Sequence, residues 1–147
     1  MTQPESHEGT LTARIGRTGY RVEIEASGHS LVSDEPVEVG GTNAGATPYD
    51  LVLAALGACT AMTLRMYADR KGWPLEHVRV VLTHDRDHAS DCEHEGRCER
   101  IDAVIELKGE LSDEQRSRLL EIADRCPVHK TLAGELHLES RLGQFED

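Results

Sequence analysis

Cysteine is the residue type in this 147-residue chain with the widest chemical reach, and it occurs four times, at Cys59, Cys92, Cys98 and Cys126. Cys59 lies in the most apolar stretch, "DLVLAALGACTAM", and Cys126 closes "LLEIADRC" just before Pro127. A thiol that attacks a peroxide oxygen becomes a sulfenic acid, and a second thiol can capture it as a disulfide. Cys59 and Cys126, on different elements, could form such a pair. The disulfide needs Cα atoms roughly 5.5–6 Å apart, and the attacking thiol needs a nearby positive charge. Cys59 falls about three turns inside its helix, beyond the reach of that helix's own dipole. An Arg or Lys must therefore come from elsewhere in the fold. The commoner fate of a free apolar cysteine is to serve as a small hydrophobe, and residue types alone leave both readings standing.

Three other constellations carry possible chemistry. In "HDRDHASDCEHEGRC", residues 84–98, His84, His88, Cys92, His94 and Cys98 are ligand types that zinc accepts. Their spacing matches no standard finger or ribbon, and acidic residues are interleaved, so a solvated loop is the simpler reading. His129, in "CPVHKTL", could activate a cysteine for acyl transfer, but "GAC" lies within a helix and is no nucleophile elbow. "VGGTNAGATP" lacks the Lys and Ser/Thr of a phosphate-cradling loop and reads as a turn before a helix.

The elements that must position these residues follow from the pattern. "TLTARIG" and "YRVEIEA" alternate around Arg17-Thr18-Gly19 as a hairpin. Thr47 suits an N-cap, Pro48 the first helical position and Asp50 the first turn of a helix that runs to about Lys71, where Gly72 and Pro74 stop it. Leu51, Ala55, Cys59, Met62 and Met66 recur at helical spacing and predict an inward stripe. "HVRVVLTH" and "RIDAVIELKG" read as strands. Ser112 and Gln115 open a second helix ending at Cys126, and "GELHLESRL" alternates as a closing strand. Directly successive strands with helices between groups predict an α+β fold.

Length predicts a single domain over 1–147. Sixteen Lys and Arg against 27 Asp and Glu give a net charge of −11, which disfavours nucleic acid and anionic membranes. Aromatics at 3% supply no base-stacking platform. The N-terminus has no signal-peptide pattern and no stretch approaches spanning length, so a cytoplasmic protein is expected. No cofactor is called for.

From about Asp34 to Leu132, and above all in "TPYDLVLAALGACTAM" and "CPVHKTL", the sequence resembles the family of osmotically inducible protein C and organic hydroperoxide resistance protein (OsmC/Ohr). It is most similar to the subgroup sometimes fused to α/β-hydrolases. The resemblance implies antiparallel sheets packed around a long central helix in an intertwined homodimer. It also implies a peroxiredoxin-like, thiol-dependent peroxidase of the oxidative stress response that reduces organic hydroperoxides. In that activity Cys59 attacks, Cys126 resolves, and a dithiol such as dihydrolipoamide restores the thiols. In the hydroperoxide-resistance branch a hairpin Arg pairs with a Glu ten residues before the first Cys. Here "GRTG" places Arg17 at that turn, as the group to hold the Cys59 thiolate, while Tyr49 occupies the Glu position and offers a hydroxyl donor. The alternative is a non-enzymatic, stress-associated dimer that binds a small hydrophobic ligand.

Overall fold

A computed structural model of the chain describes residues 9–86 and 99–147. The chain divides into two compact units, residues up to Leu53 and residues from Ala54 onward.

In the first unit β1 (Leu11–Ile15), β2 (Val22–Ala26) and β3 (His29–Ser33) form an antiparallel meander in that spatial order. The two strands pair around Arg17 as the alternation predicts, with Ile15 opposite Val22, but residues 16–21 connect them in place of a tight turn at Arg17-Thr18-Gly19. β3 is an addition. Ser27 and Gly28 both have positive φ, 51° and 82°, the requirement of a two-residue turn matched to strand twist, so "SG" turns β2 directly into β3. Ile24, on the middle strand, is the buried apolar residue of this sheet.

The stretch after β3 is organised by the carboxylate of Asp34, which is 2% exposed. Its Oδ2 accepts from Thr42 Oγ1 at 2.6 Å and from the N–H groups of Thr42 and Ala44 at 3.1 Å each; its Oδ1 accepts from Glu35 N–H at 2.8 Å. The two glycines of "GGTNAG" that face this loop let backbones touch. A Cβ at Gly41 would lie 2.0 Å from the Glu35 carbonyl oxygen, and one at Gly45 would lie 2.1 Å from that of Val32. The loop therefore folds back on its own strand, as a turn and not a phosphate cradle.

The long helix, α1 (Pro48–Lys71), starts as its sequence dictates: Thr47 Oγ1 accepts from Asp50 N–H and Asp50 Oδ2 accepts from Thr47 N–H. It ends in a Schellman arrangement, with Trp73 N–H donating to Ala68 O and Gly72, at φ 69°, donating to Asp69 O.

In the second unit α1 leads into β4 (Leu75–Arg86), which pairs antiparallel with β5 (Glu99–Gly109). α2 (Asp113–Ala123) follows, opened by the reciprocal Ser112 and Gln115 capping box that the sequence predicts. Arg116 fastens α2 to the end of β5 by donating to the carbonyls of Leu107 and Gly109. Leu64 and Ala68 of α1, Leu75 of β4, and Leu119 and Ile122 of α2 form the core. The architecture is α+β, with two antiparallel sheets and a long helix.

Four expectations need correction. The buried stripe of α1 is Leu56, Thr60, Leu64 and Ala68, while Met62 and Met66 are about 60% exposed. The helix is apolar on most sides, so spacing alone did not select its inward face. α2 ends at Ala123, and Cys126 instead caps a third helix, α3 (Pro127–Ala133). Pro127 ends one helix because it begins another, as the first-turn residue that needs no N–H donor. The expected closing strand is absent among the described residues. From Glu135 onward the chain has no regular structure, and Leu138 and Leu142 are exposed, with no strand pairing to this segment among the described residues. Finally, α1 is long and apolar enough to span a bilayer by length and composition, with mean hydropathy 1.5 over 18 residues. It nevertheless buries Leu64 and Ala68 completely in the core it shares with α2.

Candidate active site

Cys59 and Cys126 meet at the first turn of α3. α1 carries Cys59 half-buried, one residue from the buried Thr60. The short connection Asp124–Arg125 after α2 brings Cys126 to the N-cap of α3, where it is 0% exposed. There two successive backbone N–H groups each donate to a different sulfur: Val128 N–H to Cys59 Sγ at 3.5 Å, and His129 N–H to Cys126 Sγ at 3.3 Å. Thr60 Oγ1 lies 3.6 Å from Cys126 Sγ. Both thiols are free. The arrangement gathers two sulfurs from distant parts of the chain around one turn of backbone donors, where negative charge developing on either sulfur finds an N–H already aimed at it.

Cys59 opens onto a cleft of about 710 Å³, within the range of roughly 300–1,000 Å³ usual for small-molecule sites. Ala55, Met62, Met66 and Ile122 give it apolar walls, and Arg70, Arg118 and Arg125 lie at its border. Arg118, on α2, is fixed in place: Nε donates to Tyr67 Oη at 3.1 Å and Nη1 to Glu121 at 2.8 Å, with the guanidinium 5.8 Å from the Tyr67 ring centre. That hydrogen bond, ahead of burial, which opposes it, holds the Tyr67 phenol below the usual tyrosine range; Tyr67 and then Glu121 keep Arg118 more firmly protonated. Trp73 meets Tyr67 edge-on with centroids 5.5 Å apart. A second cavity, of about 430 Å³, includes Leu56, Thr60, Asp124 and His129 in its wall.

Of the residues singled out in the sequence, Cys59 and Cys126 are thus brought together in the second unit. Arg17 and Tyr49 belong to the first: Arg17 in the exposed turn between β1 and β2, Tyr49 in the first turn of α1. His129 reaches Cys126 through its backbone N–H, while its ring lies 4.0 Å from Asp124; among the described residues neither thiol is hydrogen-bonded to an imidazole. His84 is paired with Glu99 at 3.0 Å. His88, Cys92, His94 and Cys98 lie outside the described residues, so the metal reading of that segment falls there too. Sequence reasoning missed Thr60, Tyr67, Arg118, Arg125 and the donors of α3. The only available signal was "CP", a helix start whose cap is an unusual residue type.

A family model described as "OsmC-like protein" matches residues 41–141. The chain belongs to the OsmC-like protein family. Among solved structures, an OsmC-like protein from Mycoplasma pneumoniae superposes with a TM-score of 0.71 at 20% identity, over 88% of this chain and 89% of that one. An organic hydroperoxide resistance protein from Elizabethkingia anophelis, crystallised with thiocyanate bound, gives 0.67 at 19% identity over 90% and 92%. A protein from Legionella pneumophila described as an organic hydroperoxide resistance protein OsmC gives 0.65 at 20% identity over 88% and 91%. These likenesses establish the OsmC-like fold. No curated protein sequence matches the chain.

Proposed function

We propose that this OsmC-like protein is a thiol-dependent peroxidase that reduces organic hydroperoxides. The observation that carries the reading is the pair of sulfurs on successive N–H groups of α3, one half-buried at an apolar cleft and the other sealed behind it. The half-buried sulfur, Cys59, attacks the terminal peroxide oxygen. The O–O bond breaks, Cys59 becomes a sulfenic acid, and the alkoxide leaves and takes up a proton as the alcohol. Cys126 then attacks the Cys59 sulfur, forming the disulfide and releasing water, and two electrons from a dithiol of the dihydrolipoamide kind return both thiols. By resemblance Arg17 holds the Cys59 thiolate and Tyr49 offers a hydroxyl donor. Organic hydroperoxide resistance proteins of the same fold support the substrate class. The working unit is a cytoplasmic homodimer.

The test is titration of the reduced protein with cumene hydroperoxide and with hydrogen peroxide, following intact mass and peptide maps. A Cys59 to Cys126 disulfide, formed faster with the organic peroxide, is expected. Cys59→Ser should abolish turnover, and Cys126→Ser should permit one oxidation of Cys59 and then stall. Undiminished activity in both variants removes the peroxidase reading and leaves the cleft as a binding site for a hydrophobic ligand.

A further inference from the structure

The buried residues of α1 are Leu56, Thr60, Leu64 and Ala68, and Thr60 alone among them is polar. It is 3% exposed, at a position where a valine side chain would have no hydroxyl to desolvate. A helical threonine commonly returns its hydroxyl to the carbonyl one turn back, as Thr131 of α3 does to Pro127 O at 3.0 Å. Thr60 does otherwise. Among the described residues its hydroxyl has one partner, Cys126 Sγ at 3.6 Å, on a residue 66 positions away that is itself 0% exposed. The same sulfur accepts from His129 N–H at 3.3 Å. A buried hydroxyl is thus kept on the stripe where it meets the buried thiol, one residue after Cys59.

We propose that Thr60 is a positioning residue for disulfide closure: its hydroxyl holds Cys126 Sγ in place and donates to the thiolate that attacks Cys59. The inference rests on the reading of Cys59 and Cys126 as attacking and resolving thiols. While Cys126 is a thiol, either atom of the contact can donate. Once Cys126 has lost its proton the sulfur only accepts, and the Thr60 hydroxyl and His129 N–H give one charge two donors inside the protein. The thiolate attacks the sulfur of the Cys59 sulfenic acid. The S–S bond forms, the S–O bond breaks, and the departing hydroxide takes up the proton that Cys126 released, leaving as water. Hydrogen bonds to an ionised group are the stronger ones, so loss of the hydroxyl falls on this closure and not on the first oxidation of Cys59.

Closure can be followed without peroxide in the full chain carrying Cys92→Ser and Cys98→Ser. Dithiobis(nitrobenzoate) converts Cys59, the more exposed thiol, to an aryl mixed disulfide and releases one aryl thiolate. Attack by Cys126 then forms the Cys59 to Cys126 disulfide and releases a second, at a rate independent of reagent concentration; peptide maps assign the bond. Thr60→Val should slow the second release roughly tenfold, the loss expected of a hydrogen bond to a charged group, and leave the first near its wild-type rate. Thr60→Ser, which keeps the hydroxyl, should recover most of the closure rate. Where Thr60→Val disturbs the core, Thr60→Ala and Thr60→Ser, which differ by the oxygen alone, carry the same comparison. Closure at the wild-type rate without the hydroxyl, or closure slowed as much by Thr60→Ser as by Thr60→Val or Thr60→Ala, overturns the proposal. Hydroxyl-dependent closure from the aryl disulfide, with no oxidation of Cys59 by cumene hydroperoxide, would sink the peroxidase reading alone.

Discussion

At the scale of single residues, the Tyr67 and Arg118 pair gives the site its clearest electrostatic signature. Arg118 donates to the phenol oxygen and sits over its ring, with Lys71 Nζ also 5.7 Å from the ring centre. Positive charge beside the oxygen favours phenolate, so Tyr67 should ionise below the usual tyrosine range. Ultraviolet difference titration, with Tyr67→Phe to assign the transition, should resolve one phenol ionising early, and Arg118→Gln should move it back upward. Three phenols titrating together in the wild type would show that the contact is not maintained in solution. This pair was illegible in the sequence because Tyr67 and Arg118 are 51 positions apart. Tyr67 looked like one more residue of a largely apolar helix and Arg118 like part of the wet face of an amphipathic one, and only packing of α1 on α2 puts one against the other. Cys59 and Cys126 were recognisable by type. What they lacked in the sequence was the donor set, since backbone N–H groups carry no letter of their own.

At the scale of elements, local chemistry was readable wherever a cap or a turn decided the outcome. Thr47 with Asp50, Ser112 with Gln115 and Gly72 at a helix end all act as their types predict. Pro127 shows the limit: a proline marks a boundary but does not say whether a helix starts behind it, and the answer depended on what Cys126 could accept. The loop after β3 shows another. "GGTNAG" announced a turn, but its organiser, Asp34, is separated from Thr42 and Ala44 by eight and ten residues. Four donors, led by the Thr42 hydroxyl, bring its carboxyl from an ordinary value of 3.8 down to about 2. A carboxylate bound more tightly in the folded state contributes stability above its unfolded pKa and loses it as the pH falls towards the folded one. Asp34→Asn should therefore lower the unfolding temperature at neutral pH, because an amide turns donors towards donors. The gap to wild type should narrow between about pH 3.8 and about pH 2, as the native carboxylate becomes protonated. Thermal unfolding of both proteins across that window checks this, and curves that stay parallel would mean that the charge on Asp34 is not what holds the loop.

At the scale of the whole molecule, the unfinished surfaces point beyond one chain. "GELHLESRL" alternates like a strand with one covered face, yet Leu136, Leu138 and Leu142 are 50%, 87% and 101% exposed and the segment has no pairing partner among the described residues. Alternation is a signal of what a segment can bury, and it is realised only where an edge is available. Apolar side chains at this density on a strand-like segment are costly in water, at about 25 cal/mol for each Å² of apolar area left exposed. In the homodimer proposed above, a second copy would cover this segment. Light scattering after size exclusion should therefore give twice the chain mass at micromolar concentration, and amide exchange should be slowed between residues 136 and 142. Leu138→Asp should weaken the dimer and release that protection together, since a charge on the covered face opposes both. A monomer with rapid exchange throughout the segment would refute the dimer, and would mean that the alternating pattern at this end of the chain is not used for pairing.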